Sequence, residues 1–449
     1  MEVSKAALLC IFASLAVLRS SAIAAEKAVP LGNPDAVPAP KQQFKLPQTT
    51  LGPGVGPNVR CNNRVTCNDG RGVVQSETAL AISGDVVVCG YNDFRAQYCP
   101  NQDPGYQWVG WAYSLDGGAT FIDGGPLPGR TLHRGDPWLA TGPDGTIYYV
   151  DIWNNLAGMA ALRGGVVTEN GISWSEPTVI ATSGSFDKEA MAIDQVTGSI
   201  YLTYTRFGGP GGIWLHKSDD GGLTFDAGQP VGLSGTGSYP AIGPNGEVYI
   251  VSQAGSNVVF TRSLDGAQTF SSPRNIGAVS SFSVPGLNRH SQFPQVAVDT
   301  SGGPNTGNIY AVWDTFVGGN GNAVIVTSTD GGDTWSSPML VNDDTPGLHF
   351  YPTVSVDSLG RVNVFFYDRR EDPGTRVTNL YFAQSSDGGA SFDPNIRVTD
   401  TASLWTDPGE GSPNYGDYIN SVSVGTKACV AYADGRDGDP DAYFTCVDL

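Results

Sequence analysis

Seven times along the chain, a strand-length apolar run is followed by a Gly-containing turn and a second run rich in Tyr, Val and Ile. The copies are 77–93 (ETALAISGDVVVCGYND), 136–153 (DPWLATGPDGTIYYVDIW), 189–206 (EAMAIDQVTGSIYLTYTR) and 239–253 (YPAIGPNGEVYIVSQ). They continue at 293–314 (FPQVAVDTSGGPNTGNIYAVWD), 351–369 (YPTVSVDSLGRVNVFFYDR) and 418–434 (YINSVSVGTKACVAYAD). Apolar runs of this length, bounded by turn residues and rich in β-branched and aromatic side chains, predict pairs of adjacent antiparallel strands. Seven pairs without a linker between them predict one all-β repeat architecture.

A second pattern runs out of phase with the first. The octapeptides are 114–121 (SLDGGATF), 218–225 (SDDGGLTF), 263–270 (SLDGAQTF), 328–335 (STDGGDTW) and 385–392 (SSDGGASF). A degenerate copy, 167–174 (VTENGISW), has Glu169 where the others have Asp. The Asp of such a turn can accept bonds from backbone N–H groups. Its Gly supplies φ > 0, and its last aromatic can pack between neighbouring sheets.

The octapeptide resembles the Asp box, S-x-D-x-G-x-T-F/W, of sialidase-like (BNR-repeat) β-propellers. The resemblance covers the chain from about Glu77 onward. It implies a box on each third-to-fourth strand turn, on the face away from the active site. Six strand pairs are followed by a box. The seventh is followed only by 441–447 (DAYFTCV), a third strand. Its fourth strand is expected from about 59–65, so that the two termini close the ring and remove its exposed edges. We therefore expect a single propeller over 59–449 with seven blades. Six, the sialidase number, is the alternative, and would make one strand pair an insertion.

Composition agrees. The 59 Gly and 30 Pro make the chain turn-rich, and 15% charged residues with 10% aromatics exclude a coiled coil or a disordered chain. A net charge of −19 argues against nucleic acid or an anionic membrane surface as partner. Residues 1–24 read as a secretory signal, with Lys5, the apolar run 6–18 and the cleavage site Ala22-Ile23-Ala24. Residues 25–58, Pro-rich, read as a flexible leader. A secreted or periplasmic monomer is expected. Six Cys remain beyond the signal and suit an oxidising compartment. They allow 15 connectivities. Sequence proximity suggests Cys61–Cys67, Cys89–Cys99 and Cys429–Cys446.

The two repeats assign a polarity. The face opposite the boxes collects the residues just before each first strand and just after each second strand, where His133, His290 and His349 also fall. A sialidase requires arginines for the sugar carboxylate, an acid/base carboxylate, and a Tyr nucleophile with a Glu partner. That face offers Arg134, Arg289 and Arg369 as the clamp and Asp136 as acid/base. Tyr418 or Tyr415 would be the nucleophile, and Glu189 its partner. Trp153, Trp313 and Tyr351 are further candidates for contacting substrate. No Arg is followed by Ile-Pro, so the sialidase signature F/Y-R-I-P is absent. The reading is a secreted glycan-active protein, with exo-hydrolysis of terminal acidic sugars as one form. A non-catalytic binding propeller, or a lyase with a Tyr or His base, are the alternatives. No cofactor or metal is expected. The acidic turn 434–441 could take calcium, but lacks EF-hand spacing.

Overall fold

The computed structural model describes residues 51–62, 73–94, 107–129, 133–153, 158–168, 171–181, 184–344, 346–405 and 414–449. The expected signal, most of the leader, Cys67, Cys99 and Glu169 lie outside them. No helix occurs among the described residues.

Seven antiparallel sheets form the blades of a β-propeller. From the axis outward, blade 1 runs Gln75–Ser83, Val86–Asp93, Val109–Ser114 and Ile122–Asp123. Blade 2 runs Trp138–Thr141, Ile147–Trp153, Gly158–Thr168 and Thr178–Ile180, with Gly171–Trp174 as an extra hairpin strand. Blade 3 is Ser185–Ile193, Ile200–Phe207, Gly212–Ser218 and Gln229–Pro230. Blade 4 is Thr236–Ile242, Val248–Ala254, Asn257–Ser263 and Arg274–Ala278. Blade 5 is Gln295–Val298, Ile309–Val317, Asn320–Ser328 and Met339–Leu340. Blade 6 is His349–Val356, Val362–Asp368, Val377–Ser385 and Ile396–Arg397, with Ser403–Leu404 beside its third strand. Blade 7 is Asn420–Val424, Lys427–Asp434 and Asp441–Val447, completed by Val59–Arg60 from the other end of the chain.

The closure follows the expected plan. Val59 pairs with Phe444 and Arg60 with Tyr443. Residues 51–58, assigned to the leader, run along the same blade: Val55 bridges Val447, and Gly56 N–H donates to the Cys446 carbonyl at 2.8 Å. Each complete octapeptide sits between a third and a fourth strand. In blade 5 the Asp330 carboxylate accepts from Thr334 N–H at 2.8 Å and from its hydroxyl at 2.6 Å, while Gly332 N–H donates to the Ser328 hydroxyl. The terminal aromatic packs onto the preceding blade: Trp335 meets Phe260, and Phe121 meets Phe444 across the seam. Apolar burial between sheets drives the assembly, and each blade supplies one wall of the clusters on either side.

One local disulfide is as expected, Cys429–Cys446 on adjacent strands. The other two expected local pairs are not what the geometry presents. Cys61 and Cys89, both buried and unbridged, face each other with their Sγ atoms 2.7 Å apart. Strand closure carries Cys61 across to blade 1, a long-range contact that sequence proximity cannot show.

Candidate central site

The first strands of four blades carry a register shift near their starts, between Ser76/Ala79, Asp187/Ala190, Thr236/Tyr239 and Phe350/Thr353. At or near this position the backbone is left-handed: Glu77 (φ 51), Asp136 (φ 55), Lys188 (φ 56) and Tyr351 (φ 51). Blade 4 has Gly237 there, where a Cβ would collide with Phe293. Non-Gly residues rarely adopt this conformation, and those that do cluster at functional sites. In blades 1 and 3 the bulge lies at Glu77 and Lys188, and with Asp136 of blade 2 and Asp417 before blade 7 four blades bring charge to one point.

That point is Lys188. Its Nζ lies 2.6 Å from Asp136, 2.9 Å from Asp417 and 3.2 Å from Glu77. All four groups are buried. Asn92 donates to Glu77 and accepts from Asp136 N–H, so the end of blade 1's second strand fixes the spacing. Arg289 grips Asp417 with Nε and a terminal nitrogen, and Ser291 donates to the same carboxylate at 2.8 Å. The Arg289 side chain remains half-exposed (49%), against 1% for Asp417. Asp187 is also half-buried, whereas Glu77, Asp136, Lys188, Glu189 and Asp417 are buried.

Glu77, Asp136 and Asp417 thus share Lys188, with Arg289 on Asp417 as well, and the proton affinities of the five carboxyl groups gathered here separate. Burial opposes ionisation of Asp136, but Lys188 and hydrogen bonds from Glu77 and Asp187 outweigh it and hold its carboxyl below the ordinary range. Burial likewise opposes ionisation of Asp417, and Lys188 and Arg289 prevail. Burial pushes Glu77 and Glu189 well up, and the Asp136 charge adds to both. Asp187 is pushed up to about 7, chiefly by burial; Lys188 opposes this, and Asp136 and Asp417 add to it. Neighbours split carboxyl affinities in this way both at acid–base sites and in structural ion networks.

The sequence-selected residues divide. Asp136, Glu189, Tyr418 and Arg289 do come to the centre. Tyr418 is buried, donates to the Pro137 carbonyl at 3.2 Å and lies under Lys188. Neither Glu189 oxygen has a hydrogen-bond partner, and Glu189 lines a cavity of about 20 Å3 with Trp138, Ser238, Tyr239, Phe293 and Tyr418. Tyr351 is buried and donates to the Arg289 carbonyl at 3.3 Å, supporting Arg289 from below. The three arginines do not form one clamp. Arg134 lies over Trp108, and Arg369 is wholly buried between Phe350 and Trp405. Tyr415 is stacked on Trp405 at 3.9 Å, away from the nucleophile position assigned to it. Trp313 is core: fully buried, it donates to the Ala278 carbonyl. Trp153 packs edge-on against His133.

The face histidines are braces. His133 bonds Asp151 and His290 bonds Asp314, each at 2.6 Å, and His349 bonds Asp344 at 3.0 Å. Each pins a loop before a first strand. Asp344, His349 and Asp368 could encircle a cation, but Arg370 already sits on both carboxylates. In the acidic turn 434–441, Asp434 pairs with Arg436 and Asp437 with Arg60.

Glu77, Asp187, Lys188 and Asp417 were not selected from sequence as site residues. The signal for them was available: they lie at the starts of the first strands of blades 1 and 3 and just before that of blade 7, near the position Asp136 takes in blade 2.

No protein-family model and no curated protein matches the chain. Solved structures do. An ulvan lyase of a new polysaccharide lyase family, bound to -[GlcA(1-4)Rha3S]-, aligns over 88% of this chain and 95% of its own at 11% identity and TM-score 0.50. The Penicillium chrysogenum α-L-arabinanase complexed with arabinobiose aligns over 88% and 99% at 11% identity and TM-score 0.47. YCF48 bound to D1 peptide aligns over 92% and 100% at 12% identity and TM-score 0.45. At such identities the likeness is one of fold.

Proposed function

We propose that this protein is a secreted glycan-active enzyme whose central site works by acid–base chemistry, with Asp187 as the group that gives and takes the proton. The observation that carries this reading is a half-buried carboxyl with its pKa pushed up to about 7, beside an ionised, hydrogen-bonded Asp136. A catalytic acid works best with its pKa near the working pH. Lys188 and the buried carboxylates hold the arrangement, and the half-exposed Arg289 is placed to meet an acidic sugar. A GlcA-containing ligand in an ulvan lyase of this fold is in keeping with such a substrate. Carbohydrate is the partner, and residues 1–24 direct export.

Among acidic-sugar chemistries, a tyrosinate nucleophile fits least well. Burial pushes the Tyr418 hydroxyl well above its usual range, and the hydroxyl is spent on the Pro137 carbonyl. A carboxyl acid/base is the better match. One observation favours a non-catalytic binding propeller instead: Glu77, Asp136 and Asp417 all converge on Lys188, forming a closed ion cluster.

The test is to incubate the purified full-length protein with sialosides and uronate polysaccharides. Reducing-end release reports hydrolysis, and the unsaturated-uronate chromophore reports elimination. Turnover should fall as pH rises above about 7, as Asp187 loses its proton. Asp187→Asn should lower turnover about 10²–10⁴-fold. Full activity in that variant removes the assignment. Binding without cleavage by the wild type leaves the binding propeller.

A further inference from the structure

We propose that Cys61 and Cys89 form a disulfide bond that anchors the ring-closing strand to blade 1. The closing strand is only two residues long, Val59–Arg60, yet it supplies the fourth strand of blade 7. Cys61 follows it directly and extends its ladder, donating N–H to the Ala442 carbonyl at 2.8 Å. Cys89 lies in the second strand of blade 1, paired to Leu80 and Ala112 on its two sides. Closure brings these two residues, 28 positions apart, face to face where blade 7 meets blade 1.

The Sγ–Sγ separation of 2.7 Å is well inside the ~3.5–4.0 Å at which unbonded heavy atoms rest. Both side chains are fixed. Cys61 is 1% exposed and Cys89 0%, within a cluster that includes Leu80, Val87, Tyr91, Ala112 and Phe444. The next residue, Asn62, anchors the segment by donating to Asp441 at 3.0 Å and accepting from Ala442 N–H at 3.1 Å. The bridge Cys429–Cys446 lies in the same blade, so this corner already carries oxidised sulfur.

The chemistry is thiol–disulfide exchange with a disulfide-bearing oxidant of the export compartment. One cysteine thiolate attacks the oxidant's disulfide and expels a thiolate. The second attacks the resulting mixed disulfide. The S–S bond of the oxidant breaks, the Cys61–Cys89 bond forms, and two electrons and two protons leave on the oxidant as two thiols. The product pins the closing strand to the second strand of blade 1, so that the two-residue ladder to Tyr443 and Phe444 is made by an anchored strand; the ladder itself stays non-covalent.

The full-length protein, exported and purified under oxidising conditions, is alkylated and digested without reduction. A cross-linked peptide pair joining Cys61 to Cys89 is expected. Cys61–Cys67 or Cys89–Cys99 peptides, or alkylation of Cys61 and Cys89, would overturn the proposal. Stability provides an independent readout. Cys61→Ser, Cys89→Ser and the double variant should share one lowered denaturation midpoint, because either single change removes the whole bond. Single effects that add in the double variant would mean separate packing contributions and no bridge.

Discussion

Aspartate is used in opposite ways at the two ends of this propeller. In the octapeptide turns Asp116, Asp220, Asp265, Asp330 and Asp387 are close to solvent and satisfied within their own loop. Hydrogen bonds from Ser or Thr hydroxyls and backbone N–H groups hold each carboxyl down at about 2. At the centre, Glu77, Asp187 and Glu189 are pushed upward, first by burial and then by each other or by Asp136. The turns are local and self-sufficient, so the motif repeats with little change. The centre is assembled from several blades, and no single blade contains it. A residue satisfied by its own loop serves folding. A residue whose charge depends on distant partners can be tuned by what binds beside it.

The largest expected effect comes from removing the one cation shared by three buried carboxylates. Lys188→Met should destabilise the protein by about 3–5 kcal/mol, because unpaired buried charge is left behind. The sign of its pH dependence follows. Without Lys188 the cluster carboxyls bind protons more tightly in the folded state, so the deficit should shrink as pH falls and they neutralise. Denaturant midpoints from pH 5 to 8 check this. A deficit independent of pH would mean that Lys188 contributes packing and not charge.

Glu189→Gln is the next test of the contrast. The folded pKa of Glu189 lies well above the unfolded value of about 4.3. The folded state therefore holds an extra proton above that pH, and stability falls as pH rises from there toward the folded pKa. The slope is up to about 1.4 kcal/mol per pH unit for one proton. The amide cannot ionise, so the variant should lose this slope and gain on the wild type as pH increases. Parallel profiles would show that Glu189 finds a partner on ionising.

The fold was readable because its signals are local. Strand pairs such as 351–369 and turns such as 328–335 each contain the residues that form them. The closing strand could be inferred because 441–447 lacked a fourth partner. The site was half-readable. Loop position identified Asp136, Glu189, Tyr418 and Arg289 as central. It also suggested Arg369 and Trp313, which are polar-capable residues at strand ends that turn inward to the core. Strand ends offer two faces one residue apart, and the sequence does not say which faces the axis. Lys188 was passed over because the site sought was an arginine clamp with an Asp, a Tyr and a Glu, which leaves a lysine no role. Only the bulge in the first strand of blade 3 turns it inward. The contact between Cys61 and Cys89, 28 residues apart, was not expected because it depends on the closing strand lying against blade 1.

The smallest expected effect belongs to a single turn, and it tests the other side of the contrast. Asp330→Ala removes the acceptor for Thr334 N–H and its hydroxyl and for the Ser328 hydroxyl. The site is open to water, which replaces most of what is lost, so the thermal midpoint should drop only slightly. The sign with pH is opposite to that of Glu189. The folded pKa of Asp330, about 2, lies below the unfolded value of about 3.9, so its stabilisation is present above that value and is lost as pH falls toward 2. Wild type and variant should therefore converge in acid and differ most near neutrality. Binding and turnover should be unchanged, because the turn joins the outer strands of blade 5 and shares no contact with the Lys188 cluster. Loss of glycan binding at an unchanged midpoint would move the functional surface to the octapeptide face, and the division of labour between the two sets of carboxylates would have to be reversed.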